Sequence, residues 1–239
     1  IRDRPKGVPP VVSSMPGGDD LGEYGVWQAT PQYGEVWYPQ VAPGWVPYRQ
    51  GHWAFVAPWG WTWIDDAPWG FAPFHYGRWV EYDGRWGWTP GYAEAVQVEP
   101  GYAEPVYAPP VYAPALVSFV GLGFAAGYWY RGHRDWDHRE VGWVPLGPRE
   151  PYYPPFRCSP NYVRNVNIRN VTNINTVVNN YANNHITVTK YVNARAATVA
   201  PAATLVRSAP VAAVARPVPA ASLAALRPVA GPVPVAPAR

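Results

Sequence analysis

The chain has 239 residues, with 14 tryptophans, 31 prolines, a single cysteine and a formal net charge of +3. One cysteine excludes an intrachain disulfide and a four-cysteine metal site, and the frequent prolines exclude a fold of long helices. The charge divides along the chain: residues 1–150 carry 10 basic and 16 acidic groups (a formal −6), and residues 151–239 carry 9 basic and no acidic groups (+9).

Residues 1–21 read as an extended N-terminal arm, and the start at Ile1 without methionine fits removal of an export signal. Residues 22–91 hold the clearest pattern, an internal repeat. Gly25-Val-Trp27, Gly51-His-Trp53 and Gly77-Arg-Trp79 recur at a spacing of 26. Tyr33-Gly-Glu-Val-Trp37 matches Trp59-Gly-Trp-Thr-Trp63 at the same spacing, and the third unit closes on Arg85-Trp-Gly-Trp88. Large and small side chains alternate and glycine marks the turns, so each unit reads as a short antiparallel hairpin. A lone hairpin is marginal, whereas three packed side by side share an aromatic core. Trp27, Trp37, Trp53, Trp63, Trp79 and Trp88 are the expected core, with Arg49 and Arg78 over ring faces as cation–π partners. The fold class expected is therefore all-β.

Residues 92–115 repeat Tyr-Ala-Glu and Tyr-Ala-Pro steps and predict an extended strap. Residues 116–160 return to globular character as a closing segment. His133, Asp135, Asp137 and His138 lie close together there, a candidate metal group set against the plainer reading of a solvated charged loop, which the spacing favours. Cys158 is a small buried hydrophobe on one reading and one half of an interchain disulfide on another.

Residues 161–193 contain all 11 asparagines. Ile168, Val171, Ile174 and Val177 recur at every third position among poor helix formers, which predicts an extended Asn-rich β segment, either completing a neighbouring subunit's sheet or forming an edge strand followed by a loop within one chain. Residues 194–239 are rich in Ala, Pro and Val and predict an arm too poor in bulky side chains to order itself, held by another copy of the chain. Opposite charge on the two halves favours such contact. The basic residues are singly spaced and form no nucleic-acid-binding patch. No phosphate loop, dinucleotide motif or nucleophile context occurs, so neither a cofactor nor an enzyme is expected. The longest apolar run, 114–127, is too short and glycine-interrupted for a membrane span.

The strings Tyr48-Arg-Gln-Gly-His-Trp53, Trp59-Gly-Trp-Thr-Trp63, Trp69-Gly-Phe-Ala-Pro-Phe-His-Tyr-Gly-Arg-Trp79 and Gly142-Trp-Val-Pro-Leu-Gly-Pro-Arg149 resemble a bacterial family of exported, Trp/Tyr/Gly-rich proteins, a domain of unknown function. The resemblance spans about residues 22–193 and implies a cell-surface or extracellular life, with the periplasm as alternative. It transfers no catalytic residues. The function expected is a structural subunit of a secreted or cell-surface homopolymeric assembly, a filament being one form of it, with extended segments contacting neighbouring subunits. The alternative is a carbohydrate- or cell-wall-binding module that stacks surface polysaccharide on exposed Trp and Tyr faces.

Overall fold

A computed structural model of the chain describes residues 8–91, 94–99, 102–122, 140–183, 185–186, 190–229, 231–233 and 235–237. The protein is predominantly sheet, with antiparallel hairpins and few helices. Strands β1 (Gly25–Thr30) and β2 (Gly34–Pro39) form the first hairpin, β3 (Gly51–Val56) and β4 (Gly60–Asp65) the second, and β5 (Arg78–Tyr82) and β6 (Arg85–Thr89) the third. The short helices α1 (Leu21–Tyr24) and α2 (Phe71–His75) precede the first and third hairpins.

The three hairpins share one device. Each sets a tryptophan opposite a tryptophan, Trp27 to Trp37, Trp53 to Trp63 and Trp79 to Trp88. In each, the second-strand indole lies over the glycine at or just before the start of the first strand. A Cβ on Gly25 would lie 2.6 Å from Trp37 Cε2, one on Gly51 2.8 Å from Trp63 Cζ2, and one on Gly77 2.8 Å from Trp88 Cε2. No larger residue leaves room for the ring, and this explains the Gly-x-Trp spelling. The indole N–H groups then find buried oxygens: Trp37 Nε1 donates to Leu21 O at 2.8 Å, Trp63 Nε1 to Asp65 Oδ2 at 2.9 Å, and Trp88 Nε1 to Tyr76 O at 2.8 Å.

The hairpins do not stack in sequence order. The first and third join through a single bridge, Trp37 opposite Trp88, into a four-stranded sheet β1-β2-β6-β5, while the second stands apart as a two-stranded sheet. All three meet in one core, where Trp45, Trp69, Phe74 and Trp79 pack ring to ring. Tyr48 stands among them, its hydroxyl donating to Phe74 O at 2.9 Å and accepting from the Leu116 amide at 3.0 Å.

The strap expected from residue 92 is in part a further hairpin, β7 (Glu94–Glu99) with β8 (Tyr102–Val106). Beyond it the chain runs extended and is tied down by Ala113 N to His75 O (3.0 Å) and Trp63 N to Pro114 O (3.0 Å). Strands β9 (Val117–Leu122) and β10 (Glu140–Pro145) pair antiparallel.

From Pro160 the structure departs from the extended Asn-rich segment that the sequence predicts. Helices α3 (Pro160–Asn167) and α4 (Ile174–Ala182) occupy the region. The reason is capping. Ser159 Oγ accepts from the Tyr162 amide with Pro160 at the first helical position, and Asn173 Oδ1 accepts from the Thr176 amide. Asparagine works here as a helix-starting residue rather than as a strand ladder. Val163, Val166 and Val177 face inward, whereas Ile168 is exposed and Val171 and Ile174 are half-buried.

The C-terminal segment also corrects an expectation. Strand β11 (Thr198–Pro201) pairs with β10, β12 (Arg216–Pro217) pairs with β11, and β13 (Leu226–Pro228) pairs with β9, giving a five-stranded sheet ordered β12-β11-β10-β9-β13. Helix α5 (Ala202–Val206) lies against β3. Ala200, Ala202, Leu205, Val211, Val233 and Val235 enter the same core as Trp53, Trp61 and Trp143. The segment is thus ordered on its own chain. Its small side chains suffice because the indoles they meet supply the apolar bulk.

Candidate functional site

The polar centre of the molecule lies where this C-terminal half meets the third hairpin. Arg78, at the start of β5, is 1% exposed. Its Nη1 donates to Gly77 O at 2.8 Å, its Nη2 to Glu150 O at 3.2 Å and to Asn167 Oδ1 at 3.4 Å, and its Nε to Glu150 O at 3.4 Å. All these acceptors are neutral. Burial pulls the guanidinium down to about 10, with the charge of Glu150 opposing the shift.

The Glu150 carboxylate turns elsewhere, accepting from the Gly147 and Val192 amides at 2.6 Å each. Burial raises its pKa, and those two amides and Arg78 pull it back. Asn167, at the end of α3, accepts from Tyr152 N at 2.7 Å and donates to Tyr152 O at 2.8 Å and Val163 O at 2.9 Å. Asn193 Nδ2 donates to Trp79 O at 2.8 Å and Pro145 O at 3.2 Å. Arg78, Glu150, Asn167 and Asn193 therefore fasten hairpin, closing segment and C-terminal half together.

A pocket of about 40 Å³ opens beside this cluster, lined by Tyr76, Arg78, Tyr107, Val166, Arg169 and Asn170 among others. Asn170 is 7% exposed and its Oδ1 has no partner.

The residues singled out from sequence fall as follows. Trp37, Trp53, Trp63, Trp79 and Trp88 are buried and Trp27 is half-buried, so they build the core. Among the described residues neither Arg49 nor Arg78 lies over a ring face: Arg49 Nε donates to Thr198 Oγ1 at 2.9 Å, and Arg78 is held by the oxygens above. Oxygen acceptors satisfy a desolvated guanidinium better than a ring does. A cation does sit over a ring at Arg85 and Tyr38, 4.3 Å from the centroid. Cys158 is half-buried, with its thiol donating to Tyr181 Oη at 3.2 Å, and burial raises its pKa. His133, Asp135, Asp137 and His138 lie outside the described residues. Among the described residues no group of three or more His, Cys, Asp or Glu is placed to hold a metal ion, and no helix is long and apolar enough to cross a membrane. Sequence reasoning missed Glu150, Asn167 and Asn193. Glu150 reaches Gly147 nearby but also Val192, 42 positions away, and Asn167 and Asn193 meet Arg78 and Trp79 across 89 and 114 positions, which no spacing signals.

The fold and this centre define a predominantly β-sheet protein with a tryptophan core and a buried polar clasp. The chain belongs to the family of unknown function DUF6600, whose model matches residues 18–150. No curated protein and no solved structure matches it.

Proposed function

We propose that the protein is a structural, non-enzymatic subunit of a homopolymeric assembly at or beyond the cell surface, in which the C-terminal segment passes to a neighbouring copy. The observation that carries this reading is the sheet order. β9 and β10, both within residues 18–150, receive their outer neighbours β13 and β11 from the C-terminal segment. The same segment donated in trans makes the same hydrogen bonds, and a head-to-tail exchange that does not close yields an open chain of subunits. Charge supports the pairing: Arg216 of β12 forms an ion pair with Glu140 of β10, and the donated residues 194–239 carry five basic groups and no acidic one, against −6 for residues 1–150. The buried ionisable side chains Arg78, Glu150 and His75 and the half-buried Asp65 are all bonded to backbone groups, a structural use.

The sugar-stacking alternative draws less support. Among the residues whose side chains are described no Trp or Tyr ring is exposed, and the exposed aromatics are Phe55 at 49% and Phe71 at 47%.

Paired cysteines test the proposal. Val141 and Ala200 are register partners across β10 and β11. The variant Val141→Cys/Ala200→Cys, with Cys158→Ser, is to be assembled at high concentration, oxidised and run without reductant. Exchange in trans gives a ladder of linked chains. Monomer bands alone at every concentration would overturn it.

A further inference from the structure

Among the described residues two tyrosine pairs have their rings in contact, Tyr33 with Tyr82 and Tyr76 with Tyr112. Tyr76 is buried, so that pair offers solvent one ring at most. Tyr33 and Tyr82 are both half-buried, each with part of its side chain open to solvent. Their centroids lie 5.8 Å apart and their planes meet at 89°.

Their place in the fold sets this pair apart as well. Tyr33 lies in the turn between β1 and β2, and Tyr82 ends β5, so the two phenols belong to different hairpins. Those hairpins are joined in the sheet by one bridge, Trp37 opposite Trp88. A bond between the phenols ties them at a second point.

The contact suits one reaction of phenols. A one-electron oxidant turns a phenol into a phenoxyl radical, whose spin is shared by the ring carbons ortho to the oxygen. Two such rings held in contact couple without a diffusional encounter, which multiplies their effective concentration. Rings stacked face to face cannot form a bond in the plane of both, whereas an edge-on pair turns the rim of one ring toward the other. Both side chains reach solvent, which leaves room for the swing into a twisted biaryl.

We infer that Tyr33 and Tyr82 form an oxidative cross-linking site, joined through a carbon–carbon bond by hydrogen peroxide acting through a haem peroxidase. Each phenol gives up one electron and its hydroxyl proton. The ortho carbons bond, the two ortho hydrogens pass to the phenol oxygens as the rings regain aromaticity, and the peroxide leaves as two waters. The site lies outside the β9–β10 edges and does not depend on exchange of the C-terminal segment.

The test treats the full chain, at low concentration, with a haem peroxidase and hydrogen peroxide. Covalent monomer is isolated in denaturant and digested, and linked peptides are identified by mass spectrometry. A Tyr33–Tyr82 peptide is the main bityrosine product, and Tyr33→Phe and Tyr82→Phe each lose it together with most of the bityrosine fluorescence of the monomer. The linked chain unfolds at higher urea than the untreated chain, because the bond restricts the unfolded state. Phenylalanine keeps the ring, and circular dichroism follows the folding of both variants. A monomer whose other tyrosines are oxidised but which lacks the Tyr33–Tyr82 peptide overturns the inference. So does linkage of these residues between copies rather than within one, and both results stand on the unaltered chain alone.

Discussion

Asn193 Nδ2 lies 2.8 Å from the carbonyl oxygen of Trp79, a hydrogen bond that joins residues 114 positions apart. The same nitrogen reaches Pro145 O at 3.2 Å, so one buried amide ties the third hairpin, the end of β10 and the entry to the C-terminal segment. Replacing it removes two donors from a dry site, where an unmade hydrogen bond costs about 1–3 kcal/mol. Asn193→Leu lowers the free energy of unfolding by that order. Urea denaturation monitored by tryptophan fluorescence measures it, and Asn183→Leu, at an exposed position, leaves the midpoint within error.

The glycines under the indoles make a second prediction. A methyl group at Gly51 meets the Trp63 ring at 2.8 Å and crowds the backbone of Asp65 at 3.0 Å. Overpacking of this kind costs about 1–3 kcal/mol. Gly51→Ala therefore destabilises the chain and changes its near-ultraviolet circular dichroism, since the Trp53–Trp63 pair, with centroids 5.3 Å apart, must shift. An unchanged melting temperature and spectrum would contradict the role assigned to Gly-x-Trp.

The half-buried Asp65 and the buried His75 give the stability opposing slopes with pH. Burial pushes the Asp65 carboxyl up from 3.8 to about 7, against the donors Trp63 Nε1 and Ala67 N. Between those values the folded chain holds a proton that the unfolded chain has lost, so this group makes stability fall as pH rises. Burial pulls His75 down from 6.5 to about 4, against its hydrogen bond to Ala113 O. In that window the unfolded chain holds the extra proton, so stability rises with pH. The two contributions oppose each other over about pH 4–6.5. Asp65→Asn unmasks the rise, and His75→Gln unmasks the fall. Urea midpoints from pH 4 to 7.5 check both signs, and variant slopes equal to that of the unaltered chain would refute them.

The front of the molecule was legible because its determinants are local. Gly25, Gly51 and Gly77 each mark a hairpin, and the paired tryptophans follow within a dozen residues. What the spacing did not carry was which hairpins pair, since the Trp37–Trp88 bridge depends on the whole core. The helices at Pro160–Asn167 and Ile174–Ala182 had a readable signal in Ser159-Pro160 and Asn173, outweighed by the poor helix propensity of Val, Ile and Asn. The Ser159 cap makes a prediction: Ser159→Ala costs about 1 kcal/mol and weakens amide protection over residues 162–166, as hydrogen exchange would show. Arg78, Asn167 and Asn193 were unreadable as a group because chain separation hides their meeting.

The C-terminal segment is the outer neighbour of both β9 and β10, a relationship on which the proposed exchange depends. Its direct measurement is hydrogen exchange of backbone amides in the full chain and in a chain ended at Asn193. The Val229 amide donates to Phe119 O at 2.8 Å, and β11 covers residues 140–143. Truncation strips protection from β9 and β10 while β1–β2 and β5–β6 retain most of theirs. Undiminished protection of residues 117–121 and 140–145 in the shortened chain would contradict it.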